Sequence, residues 1–264
     1  MAESPLALFF SVMSESQQKT FWEHLDDLRG SVVRCVAVVV VFAVVAFFFK
    51  DCMFSIILAP KYDDFVTYRF FNRLFAGAFS NFNVELINTG LAQQFLLHIK
   101  AAFSFGVMCA SPYVIYKLFS FVSPALYANE RRRARGVVVG GYVMFVLGVL
   151  LCYFLVFPFT FQFLGTYQVS GEVDNLISIE SYMDTLIMLC LMMGIVFELP
   201  VVAWILSKMG LIDASFLRKY RRHAIVAILI VAAVITPTAD VFTLCLVSLP
   251  IYLLYEVSVL IVRR

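Results

Sequence analysis

Apolar residues come in blocks along this chain, and short polar or charged segments separate them. Val32–Phe49 is nearly unbroken Val, Ala and Phe, closing on Lys50-Asp51. Further apolar runs cover Phe95–Ala110, Val137–Phe157, Ser181–Leu206, Ala224–Ile235 and Val241–Leu254. A hydrocarbon core of about 30 Å takes roughly 20 residues of helix. Most of these runs reach or approach that length once flanking residues are drawn in, so the pattern predicts six transmembrane helices. The fifth is the exception: Ala224–Ile235 covers only about 18 Å at 1.5 Å per residue. Either the bilayer thins there, or Arg221–His223 belong to the helix and snorkel.

The polar segments add detail. Phe21–Arg34 places Trp22, Leu25 and Leu28 at three-residue spacing, which predicts an amphipathic helix at the interface leading into the first span. Asp26 and Asp27 lie on another side, beside Arg29. Asp51–Gln94 is a long polar and aromatic excursion in which Phe65–Phe79 predicts a short surface helix. Lys100, near the outer end of the second span, is expected to snorkel. Ser111–Arg135 reads as a loop between two spans, with Pro112, Pro124 and the cluster Glu130-Arg131-Arg132-Arg133. The third span is expected to end at Pro158.

Composition agrees with the blocks. At 62% hydrophobic and 14% charged, the chain lies far outside soluble globular domains. No linker, repeat or low-complexity stretch divides residues 1–264, so one polytopic all-α membrane domain is expected. Met1–Thr20 lacks a basic n-region and does not read as a signal peptide.

Net charge, +2, matters less than where the charges fall. Lys and Arg near span ends stay on the cytoplasmic side. The basic segments are Lys19–Arg34, Lys117–Arg135, Lys208–Arg222 and Arg263-Arg264. Phe159–Glu180 and Thr236–Asp240 contain no Lys or Arg, and the long excursion holds Lys50, Lys61, Arg69 and Arg73. Six spans with both termini cytoplasmic satisfy this distribution.

Little enzymatic chemistry is visible. The six cysteines form no CxxC pair, and His24, His98 and His223 are scattered without HExxH context, so no metal site or cofactor is expected. No GxSxG elbow, P-loop or GxGxxG occurs, so nothing points to an intramembrane hydrolase. What stands out is carboxylates at or in the membrane. Glu198, in Glu198-Leu199-Pro200, falls inside the fourth apolar run and must be neutral, paired or facing water. Pro200 has no N–H and clashes with the carbonyl of Val196, which predicts a kink that frees an acceptor. Glu130 has two readings: an ion pair with its own arginine neighbours, or a carboxylate offered to an outside cation. A carboxyl in a span and prolines at span ends also fit a proton-coupled secondary transporter, although no repeated halves are evident.

HLDDLR at His24–Arg29, SP…VSPALYANERR across Ser111–Arg132, FELP at Phe197–Pro200, LRKYRRHAIV at Leu217–Val226 and TPTADVFT at Thr236–Thr243 together resemble the TatC family, the receptor subunit of the twin-arginine protein translocase. The resemblance runs from His24 to the last span and implies a glove-shaped, concave all-α protein of the bacterial cytoplasmic (inner) membrane. Such a protein is not an enzyme. It binds twin-arginine signals and, with single-span TatA and TatB partners, exports folded proteins using the proton-motive force. The resemblance also implies self-association and contact with lipids, and no nucleic acid. Its signal-binding glutamates fall on Asp27 and Glu130; Asp27 is one methylene shorter, so Asp26 is a candidate to share the role. Its intramembrane glutamate falls on Glu198, beside Pro200. Its aspartate after the fifth span falls on Asp240, with one extra residue in TPTAD.

Overall fold

The computed structural model describes residues 21–74, 84–122, 134–168, 170, 175–238 and 240–262, with the side chains of 21–25, 27, 122, 134 and 135 excepted. Helix α1 is Phe21–Phe48. The expected interfacial helix and first span are therefore one element. Nothing in the sequence interrupts backbone bonding there, and Arg34 Nε donates to the Gly30 carbonyl at 2.9 Å. After it come α2 (Lys50–Leu58), a 3₁₀ turn (Ala59–Lys61) and α3 (Val66–Leu74). The expected surface helix is thus observed as α3, and its last residues lie outside the described ones.

Helix α4, Gln93–Val122, is much longer than the predicted second span, because Ser111–Val122 is helical rather than loop. Pro112 lies inside it and offers no N–H to the carbonyl of Met108. The Ser111 hydroxyl donates to that carbonyl instead, at 2.7 Å, so the helix continues. Pro158 likewise does not end the third span. Helix α5 (Ala134–Leu151) passes through a π-turn (Cys152–Val156) into α6 (Phe157–Thr166), with Pro158 in the first turn of α6. The carbonyl of Phe154, deprived of the Pro158 N–H, accepts from the Thr67 hydroxyl.

The remaining helices are α7 (Ile179–Val196), α8 (Leu199–Lys208), α9 (Ala214–Lys219), α10 (Arg221–Ile235) and α11 (Val241–Val262). The last span thus runs past the predicted Leu254 and takes in Glu256. Among the described residues, five stretches are long and apolar enough to cross a membrane: Leu28–Phe48, Gln93–Phe121, Gly136–Thr166, Ile179–Lys208 and Val241–Val262. Helix α10 does begin at Arg221, but its 15 residues span only about 22 Å. One departure from all-α is a two-residue parallel strand pair, β1 (Leu86–Ile87) with β2 (Ile177–Ser178).

The core gathers where α7 meets the π-turn, α10 and α11; Met183, Leu189, Met193, Val156, Ile235 and Val247 are all fully buried. Helix α1 packs on α4 and otherwise exposes its valines. The α2–α3 excursion is fastened to this core by tyrosines that bond main-chain carbonyls. Pro60 cannot supply an N–H to Ile56, whose carbonyl accepts from the Tyr153 hydroxyl at 2.6 Å. The Tyr182 hydroxyl donates to the Ile57 carbonyl at 2.8 Å, and the Tyr68 hydroxyl reaches the carbonyls of Pro158 and Pro60 at 3.0 and 3.2 Å. Where no water is at hand, an unpaired carbonyl is expensive, so these phenols hold the excursion in place. Tyr182→Phe should cost about 1 kcal/mol, a fall in melting temperature of roughly 2–4 °C. It should also speed amide exchange in Lys50–Leu58 relative to α7, as hydrogen-exchange mass spectrometry would read.

Candidate functional site

The fourth apolar run is broken where the sequence places its proline. Phe197 N–H still bonds the Met193 carbonyl (3.0 Å), but Glu198 N–H reaches only three residues back, to Ile195 (3.1 Å). The helix restarts with Val202 N–H on the Glu198 carbonyl (2.9 Å). Pro200 is buried in the first turn of α8, a position that tolerates a missing donor. Phe197-Glu198 is therefore the joint between α7 and α8, as the Glu198-Leu199-Pro200 pattern predicts.

At this joint the Glu198 carboxylate turns toward α5 and α4. It lies against the bare backbone of Gly141: a side-chain carbon placed there would be 3.0 Å from Oε2 and 3.4 Å from Oε1 of Glu198, and 3.1 Å from Ile115 Cγ2. Any larger residue at 141 would displace the carboxylate. Glu198 Oε1 is buried and has no hydrogen-bond partner among the described residues. Buried polar atoms nearly always find a partner, and leaving one unpaired costs about 1–3 kcal/mol. The arrangement is an acceptor held ready between three helices, and a donor from another molecule, or water, would complete it.

The other predicted residues fall elsewhere. Asp240 caps α11: its Oδ1 accepts the Thr243 amide at 2.7 Å and its Oδ2 the Thr238 hydroxyl at 2.6 Å. Burial pushes this carboxyl up, but those two donors outweigh it and hold it below the usual carboxylate range. Asp240 sits at the opposite end of α11 from the part that packs beside α8, so it does not join the Glu198 cluster. Asp26 is exposed on α1. The Asp27 side chain and Glu130 lie outside the described residues.

Three polar ties between helices went unread in the sequence. Lys100 does not snorkel alone; it pairs with Asp184 across α4 and α7. Gln93 Nε2 donates to Glu180 Oε2 at 2.6 Å between the same two helices. Arg221 bonds Glu256 at 2.6 Å, tying the start of α10 to α11, and the Tyr252 hydroxyl donates to the other oxygen of Glu256 at 3.1 Å. A carboxylate in an apolar run was the available signal for Glu256, as it was for Glu198.

Comparison with known proteins agrees with this architecture. The family model described as Sec-independent protein translocase protein (TatC) matches residues 23–250. A TatC of Blattabacterium sp. subsp. Periplaneta americana is 33% identical over 257 residues, covering 94% of this chain and 96% of the relative. A TatC of Desulforapulum autotrophicum is 34% identical over 249 residues, covering 94% and 86%. Among solved structures, the crystal structure described as twin arginine translocase receptor TatC superposes with a TM-score of 0.74 at 30% identity, covering 90% of this chain and 97% of the other. The same receptor in DDM gives 0.77 at 29% identity, covering 92% and 100%. The family model takes in HLDDLR, the ANERR segment, FELP and TPTAD, and so the chain belongs to the TatC family of Sec-independent protein translocase proteins.

Proposed function

We propose that this protein is the receptor and core component of a twin-arginine translocase in the bacterial cytoplasmic membrane. It has six spans, α10 supplying the fifth, and both termini in the cytoplasm. It binds twin-arginine signal peptides through Asp27 and Glu130, with Asp26 beside them, and works with single-span partners of the TatA and TatB type and with further copies of itself. Folded cargo is exported on the proton-motive force, and the chain itself performs no chemical catalysis. The observation that carries this reading is family membership over a stretch holding both HLDDLR and ANERR. Two planar guanidinium forks in a signal are matched by carboxylates, which bond them bidentately. Family membership, and the lack of repeated halves, favour this reading over a secondary transporter.

The direct test is photocrosslinking of a twin-arginine signal peptide to probes placed beside Asp27 and Glu130; absence of crosslinks at both would refute the site. Sidedness is tested separately. In intact cells, with the six native cysteines replaced by serine, an impermeant thiol reagent should label Leu91→Cys and leave Leu211→Cys untouched, both positions being exposed. Labelling of Leu211→Cys from outside would invert the topology.

Glu198, on this reading, accepts a hydrogen bond from a polar group in a partner's span. Its unpartnered Oε1 over Gly141 supports that role. Glu198→Ala should leave signal binding intact while weakening partner crosslinking about ten-fold, the loss expected for one bond to a carboxylate. Glu198→Gln should keep part of it. Wild-type crosslinks in Glu198→Ala would reduce Glu198 to a carboxylate that merely reaches water.

A further inference from the structure

At the basic end of the bundle, α5, α8 and α11 converge without closing. They leave a cleft of about 340 Å³ lined by Val137, Gly140, Pro200, Trp204, Val257 and Ile261, with almost no polar wall. Gly140 faces open space, since a side-chain carbon built on it would meet nothing within 4 Å. In this respect it is the reverse of its neighbour Gly141, which is filled by Glu198. The cleft is open to the bilayer rather than enclosed, and its walls are exposed apolar side chains such as Val143 and Val257.

Its rim is charged. Lys208 is one turn beyond Trp204, in the last turn of α8, and its Nζ stands 5.9 Å from the centre of the Trp204 ring. An occupant must therefore join a long apolar body to an anionic head at one end. Basic pockets between helices at the cytoplasmic face recognise anionic headgroups in this way.

We infer that the cleft between α5, α8 and α11 is a binding site for an anionic phospholipid, one acyl chain lying over Gly140 and the phosphate meeting Lys208 beside Trp204. The cleft is lined by Gly140 and Pro200, whereas the Glu198 carboxylate lies against Gly141. Bound lipid wedges α8 against α5 and α11 and so steadies the inner half of the fourth span below its joint.

The chain contains two tryptophans, Trp22 and Trp204, so Trp22→Phe leaves Trp204 as a reporter inside the cleft. The full chain with that change is reconstituted in phosphatidylcholine vesicles, and a small fraction of lipid is replaced by brominated phosphatidylglycerol or brominated phosphatidylcholine. Brominated phosphatidylglycerol should be about five-fold more effective at quenching, the preference one lysine gives an anionic headgroup. Lys208→Gln should bring the two lipids to parity while both still quench. Gly140→Leu should fill the cleft and reduce quenching by both, with unfolding monitored to show that the protein is intact. Equal quenching by the two lipids in the parent, or an undiminished preference in folded Gly140→Leu, overturns the assignment. If the parent shows no headgroup preference and a reconstituted single-span partner shields Trp204 from both lipids, the cleft is a helix-docking site and the lipid site is refuted.

Discussion

Replacing Asp27 and Glu130 together by alanine should lower affinity for a twin-arginine signal at least about 100-fold and abolish export. Hydrogen bonds to charged groups are each worth about 1.5–3 kcal/mol, and tenfold in affinity corresponds to about 1.4 kcal/mol, so two lost guanidinium–carboxylate pairs reach that figure together. The single changes should each be weaker. Glu130→Gln should lose most of the Glu130 share, because a neutral amide cannot match a guanidinium's charge or offer it two acceptors. Asp27→Glu should be tolerated, because it restores the methylene by which this chain departs from the family pattern. Binding should weaken as salt rises, since charges at the membrane face are screened over about 8 Å at physiological ionic strength. The measurement is equilibrium binding of a labelled signal peptide to protein in nanodiscs, with thermal unfolding as the folding control. Wild-type affinity in the folded double variant would place the signal site elsewhere.

Gly148→Leu should largely prevent folding, and Gly148→Ala should cost about 1–3 kcal/mol, the range for overpacking a well-filled interior. At Gly148, α5 touches α7 backbone to backbone. A carbon added there would lie 2.6 Å from the Met193 carbonyl oxygen, 2.7 Å from Phe197 Cγ and 2.9 Å from Phe197 Cβ. Gly194, on the facing helix, is in the same position, 2.7 Å from Phe145 Cε2. Close approach through small residues is a principal means of helix association in lipid, where burying apolar surface gains little. The obstacle at Gly148 includes a main-chain atom, so no rotamer change relieves it. The displaced residue is Phe197, the first of the joint that aims Glu198, so protein rescued at low temperature should also lose partner crosslinks. Gly140→Ala is the control: it meets nothing within 4 Å, and by helix propensity it should be neutral or slightly stabilising. Thermal unfolding in detergent reads all three, with a shift of roughly 2–4 °C per kcal/mol for a chain of this size. A melting temperature for Gly148→Ala equal to wild type would show that α5 and α7 are not held by this contact.

The number of apolar blocks, their order and the basic segments between them were legible because lipid requires each span to satisfy its own backbone. Element ends were not. Pro112 and Pro158 read as stops, since a proline removes a helix bond. The hydroxyls of Ser111 and Thr67 answer the freed carbonyls, and Thr67 comes from 87 residues away, which no local pattern reveals. Pro200 was read correctly because its effect is local: it offers no N–H to the preceding turn, and the helix breaks at Phe197-Glu198.

The helical membrane class and the apolar blocks follow from the chain alone, because hydrophobicity acts on each segment separately. The sequence also marked Glu198 as a carboxylate that needs a reason to be in the membrane. What that carboxylate meets is set by packing. The bare backbone of Gly141 and the unpaired Oε1 depend on how α4, α5 and α7 pack. Packing likewise decides the bonds of Asp240, the acid that the family resemblance singles out: its carboxylate caps α11. Lys100–Asp184 and Arg221–Glu256 join residues 84 and 35 positions apart. The partner of a charged side chain on a helix is set by which helices are neighbours, and neighbourhood is a property of packing, not of the segment that carries the charge.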